Sequence, residues 1–367
     1  MSTPQTTRQY SYSQRGSYDN LVLQEVLLAA PKANEVLVKT HAVSLQFRDL
    51  LLAGNKFMTG YIGLAEPWSN WLSNVKPNFV PCSDMAGEVI AVGKDVKDWK
   101  AGDRVCANFF LEKLNDEQTP ETDKSALGGP IDGVLTEYRT FPAHSLVAIP
   151  PHLSYEEAST LPCAALTAYN ALYCGYAPPE GGGNSAGAGN GRSLHVRIPK
   201  FALQFAVAAG ATVIATSSSA EKLEIAKKLG AAHVINYRTT PAWDREVLKI
   251  TGGVGVDRVL DVAGYATLQR SIDSVKQGGS IDLIGVVGSL NEVSPVDILI
   301  PVMFRNLKLR GIYVGAVSQL QDMNKLIATN PAATRPIVDR VFPFSEAKAA
   351  FAYFASQAHV GKVVIKL

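Results

Sequence analysis

Strand-like and helix-like patterns alternate from about Ser154 to Ser289. ATVIAT precedes AEKLEIAKKLGA, HVINY precedes AWDREVLKIT, VDRVLDV precedes ATLQRSIDSVKQ, and GSIDLIGVV closes the series. That alternation predicts an α/β arrangement, a doubly wound parallel sheet with helices on both faces. From about Asn20 to Pro150 the pattern is different. Short β-type runs such as EVLVKTHAV, GEVIAVG, DRVCANFF and HSLVAIP are separated by glycine, proline and charged turns, which predicts a compact β-rich domain. From Leu307 onward come an edge-type strand LKLRGIYVG, a helix over Gln319 to Ala328, a second helix SEAKAAFAYFASQ and a strand GKVVIKL. The expected division is 1–153 for the β-rich domain, 154–306 for the wound sheet, and 307–367 for a last sheet strand and a return to the first domain.

With 367 residues, the chain has room for two cores, and 47% hydrophobic with 19% charged residues is ordinary for a globular protein. A formal charge of +2 and a pI near 8.2 give no field that favours nucleic acid or an anionic membrane. The first twenty residues are polar, and no apolar run is long enough to span a bilayer. Cys82, Cys106, Cys163 and Cys174 form no C-x-x-C pair. These features point to a cytoplasmic protein with reduced thiols and no membrane partner. Two stretches stand apart. Residues 112–129 are charged and polar and are expected to be a solvated excursion, and residues 178–192 are a glycine-rich, low-complexity tract.

The junction SLHVRIPKFALQF, Ser193 to Phe205, reads as the first strand of the wound sheet feeding its first helix. A dinucleotide site places G-x-G-x-x-G or a relative there, so that backbone amides and the helix N-terminus approach the pyrophosphate. Arg197, Ile198, Pro199 and Lys200 stand in its place.

Five blocks carry a resemblance: GEVIAVGKDVKDWKAGDRV from Gly87, DGVLTEYRTFP from Asp132, LSYEEASTLPCAALTAYNAL from Leu153, TGGVGVDRVLDVAG from Thr251, and HVGKVVI near residue 360. In this order they resemble the medium-chain dehydrogenase/reductase superfamily, in its zinc-type alcohol dehydrogenase-like and quinone oxidoreductase-like branches. The resemblance implies a GroES-like catalytic domain, a Rossmann domain with the cofactor in the cleft between them, a small-molecule substrate, and a possible homodimer through the strand near Leu307 to Tyr313.

Catalytic zinc in this superfamily needs two thiolates and an imidazole around an open position. By resemblance, Gln46 stands at the first thiolate position, and Ser83 followed by Asp84 where a histidine belongs. Only Cys163 matches a ligand. The expectation is therefore no metal. Without metal, a carbonyl must be polarised by hydrogen bonds. The resemblance points to Gln46, Arg48 and Asp49: Gln46 as donor to a substrate oxygen, Arg48 to stabilise enolate charge. Arg48 and Asp49 can equally form a local ion pair. Tyr61 is a further candidate proton donor, and Phe47, Phe57, Met58, Trp68 and Trp71 offer an apolar pocket or lid, or simply core.

After the second sheet strand the chain reads Thr216, Ser217, Ser218 and then Lys222, where an acidic residue would select NAD. Hydroxyls and a lysine suit the extra phosphate of NADP(H), and Tyr237 matches a position at the same adenosine end. The same residues also read as a helix cap and a solvated lysine. Val262 and Gly264, and Gly285 with Val287, lie at strand ends where ligands of wound sheets bind. Thr167, Arg197, Lys200 and Lys362 complete the expected cofactor contacts.

A glycine-rich turn supplies two or three charge-assisted hydrogen bonds at about 1.5–3 kcal/mol each, so its loss costs roughly 3–9 kcal/mol, or ~2–6 orders of magnitude in affinity. Arg197 and Lys200 offer direct phosphate pairing in exchange, and Pro199 suits a first helical position. The run GAGNG lies before the strand, at the wrong edge of the sheet. Family-like sequence resumes abruptly at FALQF, as a displaced reading frame would also produce. The chain thus reads as a zinc-independent, NADPH-dependent oxidoreductase of enones, quinones or small carbonyls. The alternative is a catalytically impaired relative acting as a binding or structural protein.

Overall fold

The computed structural model describes residues 4–54, 75–76, 78–174, 193–196, 200–285 and 296–367, with the backbone alone for His195 and Val196. Phe57, Met58, Tyr61, Trp68, Trp71, Arg197, Ile198, Pro199, Val287 and the tract 178–192 lie outside the described residues. The chain forms two compact units. One comprises 1–166, 315–331 and 335–367; the other comprises 167–314 and 332–334.

The first unit begins with an antiparallel pair, β1 (Thr6–Tyr12) and β2 (Leu21–Leu27). Strand β3 (Glu35–Ser44) runs directly into helix α1 (Phe47–Ala53), and β4 (Asp84–Val92) and β5 (Arg104–Ala107) follow. The polar stretch 112–129 is largely exposed, as expected, and carries local structure of its own. A short helix α2 (Pro120–Lys124) is capped by Thr119, and Lys113, only 4% exposed, donates to Gln118. Its ends Leu111, Ala126 and Leu127 are buried, while the charged Glu112, Asp116, Glu117, Glu121 and Lys124 stay exposed, the solvated excursion expected. Strands β6 (Tyr138–Pro142) and β7 (Leu146–Ala148) complete this stretch.

A π-helical turn at Leu161–Ala165 leads into helix α3 (Leu166–Tyr173). The second unit then alternates in the order expected: β8 (Ser193–Val196), α4 (Lys200–Ala208), β9 (Thr212–Ser217), α5 (Ala220–Lys228), β10 (His233–Asn236), α6 (Trp243–Ile250), β11 (Val256–Asp261), α7 (Leu268–Ser274), β12 (Val275–Leu283), α8 (Leu299–Phe304) and β13 (Lys308–Gly311). All six strands are parallel, in the spatial order β10-β9-β8-β11-β12-β13. The order reverses between β8 and β11, which makes their carboxyl ends the crevice where wound sheets bind ligands. Near-continuous burial of β11 follows from helices covering both faces. Within the sheet Arg258 and Asp282 form a buried ion pair at 2.8 Å.

Helix α9 (Val317–Thr329), strand β14 (Val338–Pro343), helix α10 (Ala347–Ala355) and strand β15 (Lys362–Lys366) return to the first unit. Its sheet has the order β14-β15-β3-β4-β5-β7, with β6 also pairing β3. The core beneath it includes Tyr12 and Phe79, rings 5.1 Å apart, with Leu45, Met85, Phe141, Phe351 and Val363. Among the described residues no helix is long and apolar enough to cross a membrane.

Candidate active site

The register of three neighbouring strands gathers the polar centre. Ser44 of β3 pairs with Asp84 of β4 on one side and Val364 of β15 on the other. Continuing the antiparallel β15–β3 register by two residues sets Lys362 opposite Gln46. The Lys362 Nζ donates to Gln46 Oε1 at 2.6 Å and to the Leu45 carbonyl at 3.0 Å. Gln46 Nε2 in turn donates to Asp84 Oδ2 at 2.7 Å. The same carboxylate accepts from the Cys163 amide at 2.9 Å and from Ser83 Oγ at 2.6 Å. An ammonium, an amide and a carboxylate thus form one chain, with Gln46 and Asp84 almost wholly buried.

Gln46 also caps α1. Its backbone N–H donates to Asp49 Oδ2 at 2.7 Å, and the Asp49 N–H donates to the Gln46 carbonyl at 2.9 Å. An acid in the first helical turn suits the positive end of the helix dipole. Burial nevertheless pushes the Asp49 carboxyl up to about 6, against the Gln46 N–H bond and the charges of Arg48 and Lys362. Burial pushes Asp84 up to about 7, opposed by Lys362, Ser83 and the Cys163 amide. Lys362 is shifted down by burial and held up by Asp84, Cys163 and Asp49. The Cys163 thiol is driven far upward by burial and by Asp84.

Arg48 reaches across to the carbonyl of Leu127 at 2.8 Å and lies over the Phe109 ring at 4.9 Å. Gly129 makes room for it: a Cβ there would come within 2.5 Å of Nη2. The turn that aims Ser83 and Asp84 is strained. Cys82 sits at φ 70°, a left-handed conformation costing roughly 1–2 kcal/mol for a residue with a Cβ. The Val134 amide clamps it through bonds to the Pro81 and Cys82 carbonyls at 3.1 and 3.0 Å.

These residues do not fit a tetrahedral zinc. Such a site needs deprotonated thiolates and free imidazole or carboxylate lone pairs. Here the Gln46 amide is engaged at both ends, the Ser83 hydroxyl donates to Asp84, and a fixed ammonium stands beside them. Among the described residues no group of three or more His, Cys, Asp or Glu side chains could hold a metal ion.

The wound sheet presents two groups of expected cofactor residues. At the ends of β9 and β10 the Ser217 carbonyl accepts from the Tyr237 amide at 3.1 Å, Ser217 Oγ accepts from the Ser219 amide at 3.3 Å, and Ser219 Oγ caps α5 through the Lys222 amide at 3.3 Å. Ser217, Ser218, Lys222 and Tyr237 therefore share one edge. At the ends of β11 and β12, Gly264 has φ 69°, and a Cβ on Gly285 would come within 2.8 Å of the Val262 carbonyl. That close approach shows glycine letting the ends of β11 and β12 pack backbone against backbone. Thr167 lies half-buried on α3 and Lys200 half-buried at the start of α4.

Two residues were not read as site residues from sequence. Asp84 belongs to the buried chain, and Asp261 organises the turn that carries Val262 and Gly264. The Asp261 carboxylate accepts from the Ala263 and Gly264 amides at 2.9 and 3.0 Å, from Thr267 Oγ1 at 2.8 and 3.0 Å, and from Ser271 Oγ at 2.7 Å. Its signal was an acid at a strand end followed by hydroxyls six and ten residues on. Lys362, expected at a cofactor phosphate, has its ammonium on Gln46 and Leu45.

A six-stranded parallel wound sheet and a β-rich unit holding a buried polar centre are the two parts of a nicotinamide-dependent oxidoreductase, and the comparisons with known proteins place the chain in that class. Residues 32–151 match the alcohol dehydrogenase GroES-like domain family, and residues 198–329 match the family described as zinc-binding dehydrogenase. A zinc-type alcohol dehydrogenase-like protein of Schizosaccharomyces pombe is 43% identical over 91% of both chains. A 2-haloacrylate reductase of a Burkholderia species is 28% identical over 96% of both. The crystal structure of a candidate alcohol dehydrogenase from Sinorhizobium meliloti 1021 superimposes with a TM-score of 0.81 over the whole of both chains at 34% identity. The chain belongs to the medium-chain dehydrogenase/reductase superfamily, in its alcohol dehydrogenase- and quinone oxidoreductase-like branch.

Proposed function

We propose that the protein is a zinc-independent, NADPH-dependent reductase that delivers hydride to an enone, a quinone or a small carbonyl. The observation that carries this is the Lys362–Gln46–Asp84 hydrogen-bond chain, in which Gln46 and Asp84, at two of the positions that resemblance gives to zinc ligands, are engaged with each other and with a lysine instead. A bound nicotinamide supplies the hydride. The chain's own residues do the rest. Gln46 donates to the substrate oxygen, so that negative charge arriving on that oxygen meets a prepaid dipole, and Arg48 adds a fixed positive charge. For an enone the hydride would enter at the β-carbon, the π electrons would move to the oxygen held by Gln46, and a proton taken from water would complete the bond at the α-carbon. The names of two relatives, a 2-haloacrylate reductase and a 2-methylene-furan-3-one reductase, denote substrates with a carbon–carbon double bond conjugated to a carbonyl, and this favours the enone class.

The preference for NADPH rests on Ser217, Ser218, Lys222 and Tyr237 at one sheet edge, with Thr216 and Ser217 ending β9 where an acid would repel the phosphate. Arg197 and Lys200 serve the pyrophosphate. A soluble homodimer acting in the cytoplasm completes the reading, with the edge strand β13 and the exposed Leu299, Met303 and Phe304 of α8 as the joining surface.

The absence of glycine from residues 197–200 of the sequence supports a second reading, a relative that has lost cofactor binding and kept the fold as a binding protein. NADPH fluorescence separates the two. Saturable enhancement followed by enone-dependent NADPH oxidation, unchanged after exhaustive chelation, supports the reductase. No binding up to millimolar cofactor by a folded preparation overturns it. Activity that disappears on chelation and returns with zinc overturns zinc independence alone.

A further inference from the structure

The buried chain has a direction. A glutamine amide can turn over with little change of shape, so its orientation is set by its partners. Lysine only donates, which forces Oε1 toward Nζ at 2.6 Å and leaves Nε2 facing Asp84 Oδ2 at 2.7 Å. The other two groups on that carboxylate, Ser83 Oγ and the Cys163 amide, are also donors. The turned-over amide would set donor against donor at Lys362 and acceptor against acceptor at Asp84. Nε2 carries two N–H groups, and Asp84 takes one of them.

We infer that Lys362 is a positioning residue: with Asp84 it locks the Gln46 amide in a single orientation, and the second Nε2–H of that locked amide is the donor that receives the substrate oxygen. This rests on the reductase reading above. It assigns Lys362 a role distinct from a phosphate contact, because two of its three ammonium protons are spent on Gln46 and Leu45.

The lock is tested first without cofactor or substrate. In ¹⁵N-labelled protein the Gln46 side-chain amide, identified by its loss in Gln46→Glu, is expected to exchange slowly with solvent. Lys362→Met should speed that exchange by roughly tenfold or more, and Lys362→Arg should restore protection. With NADPH and 2-cyclohexenone, Lys362→Met should lower kcat by about 10²-fold, the scale of a lost oxyanion donor, with the NADPH Kd held within about twofold. An unchanged amide, or an affinity loss for NADPH without loss of amide protection, overturns the inference. Should Lys362→Met fail to fold, the wild-type protein decides: a Gln46 amide exchanging like an exposed glutamine overturns the lock. A wild-type protein that never oxidises NADPH defeats the reductase reading, while the amide measurement still judges the lock.

Discussion

Replacing Asp261 by alanine isolates the part of the wound sheet that carries the expected nicotinamide contacts. Four donors converge on its carboxylate. Two are hydroxyls, Thr267 and Ser271, which can rotate toward other acceptors. The other two are the fixed amides of Ala263 and Gly264. Hydrogen bonds to a charged acceptor contribute about 1.5–3 kcal/mol each, so stranding those two amides costs roughly 3–6 kcal/mol. A unit of this size loses about 2–4 °C of melting temperature per kcal/mol, so calorimetry should show a fall of at least about 6 °C in the transition of the second unit. Asp261→Asn keeps one acceptor oxygen and lets both hydroxyls accept, so it should lose less than half as much. NADPH affinity should fall in both variants, because Val262 and Gly264 are held by those amides. A melting shift under about 2 °C with native NADPH affinity in Asp261→Ala would refute the reasoning.

Asp49 and Asp84 have folded-state values raised to about 6 and about 7. Their contribution to stability is therefore full below about pH 4 and lost as pH rises through 6–7, at up to about 1.4 kcal/mol per unit for each group. Asp49→Asn can still accept the Gln46 N–H, so urea unfolding from pH 4 to 7 should give a flatter profile relative to wild type; an unaltered slope would remove Asp49 from the explanation. In Gly285→Ala the new Cβ meets a backbone carbonyl that cannot step aside. NADPH titration should show affinity weakened by about 1–2 kcal/mol, and full affinity would mean the β11–β12 crevice is not the nicotinamide site. Phe304 is 74% exposed on α8, so Phe304→Glu should convert the proposed dimer to a monomer by light scattering without changing the melting temperature by more than about 2 °C; an unchanged mass would move the interface elsewhere.

The wound sheet was legible because its signal is periodic. ATVIAT, HVINY, VDRVLDV and GSIDLIGVV became β9, β10, β11 and β12 in the order their spacing implied. Boundaries were less so: VKQ reads as the tail of a helix but begins β12, because Val275 is wholly buried beside Val256. The loop 112–129 showed only its charges, while its anchoring depends on Leu111, Ala126 and Leu127 meeting a core assembled from distant segments. At the polar centre, Gln46 was visible as a departure from the family's metal pattern. Its tie to Lys362 was not, since it follows from the register of β15 on β3, and strand register across hundreds of residues leaves no local trace.

Lys362 and Gln46 stand 316 positions apart, and the sequence of the entire second unit lies between them. During translation at 5–20 residues per second, β3 waits roughly 15–60 s for its neighbour β15 to leave the ribosome. The nascent first unit must spend that interval with a raw sheet edge and a half-built polar centre, so chaperone shelter matters more to this half of the molecule than to the other.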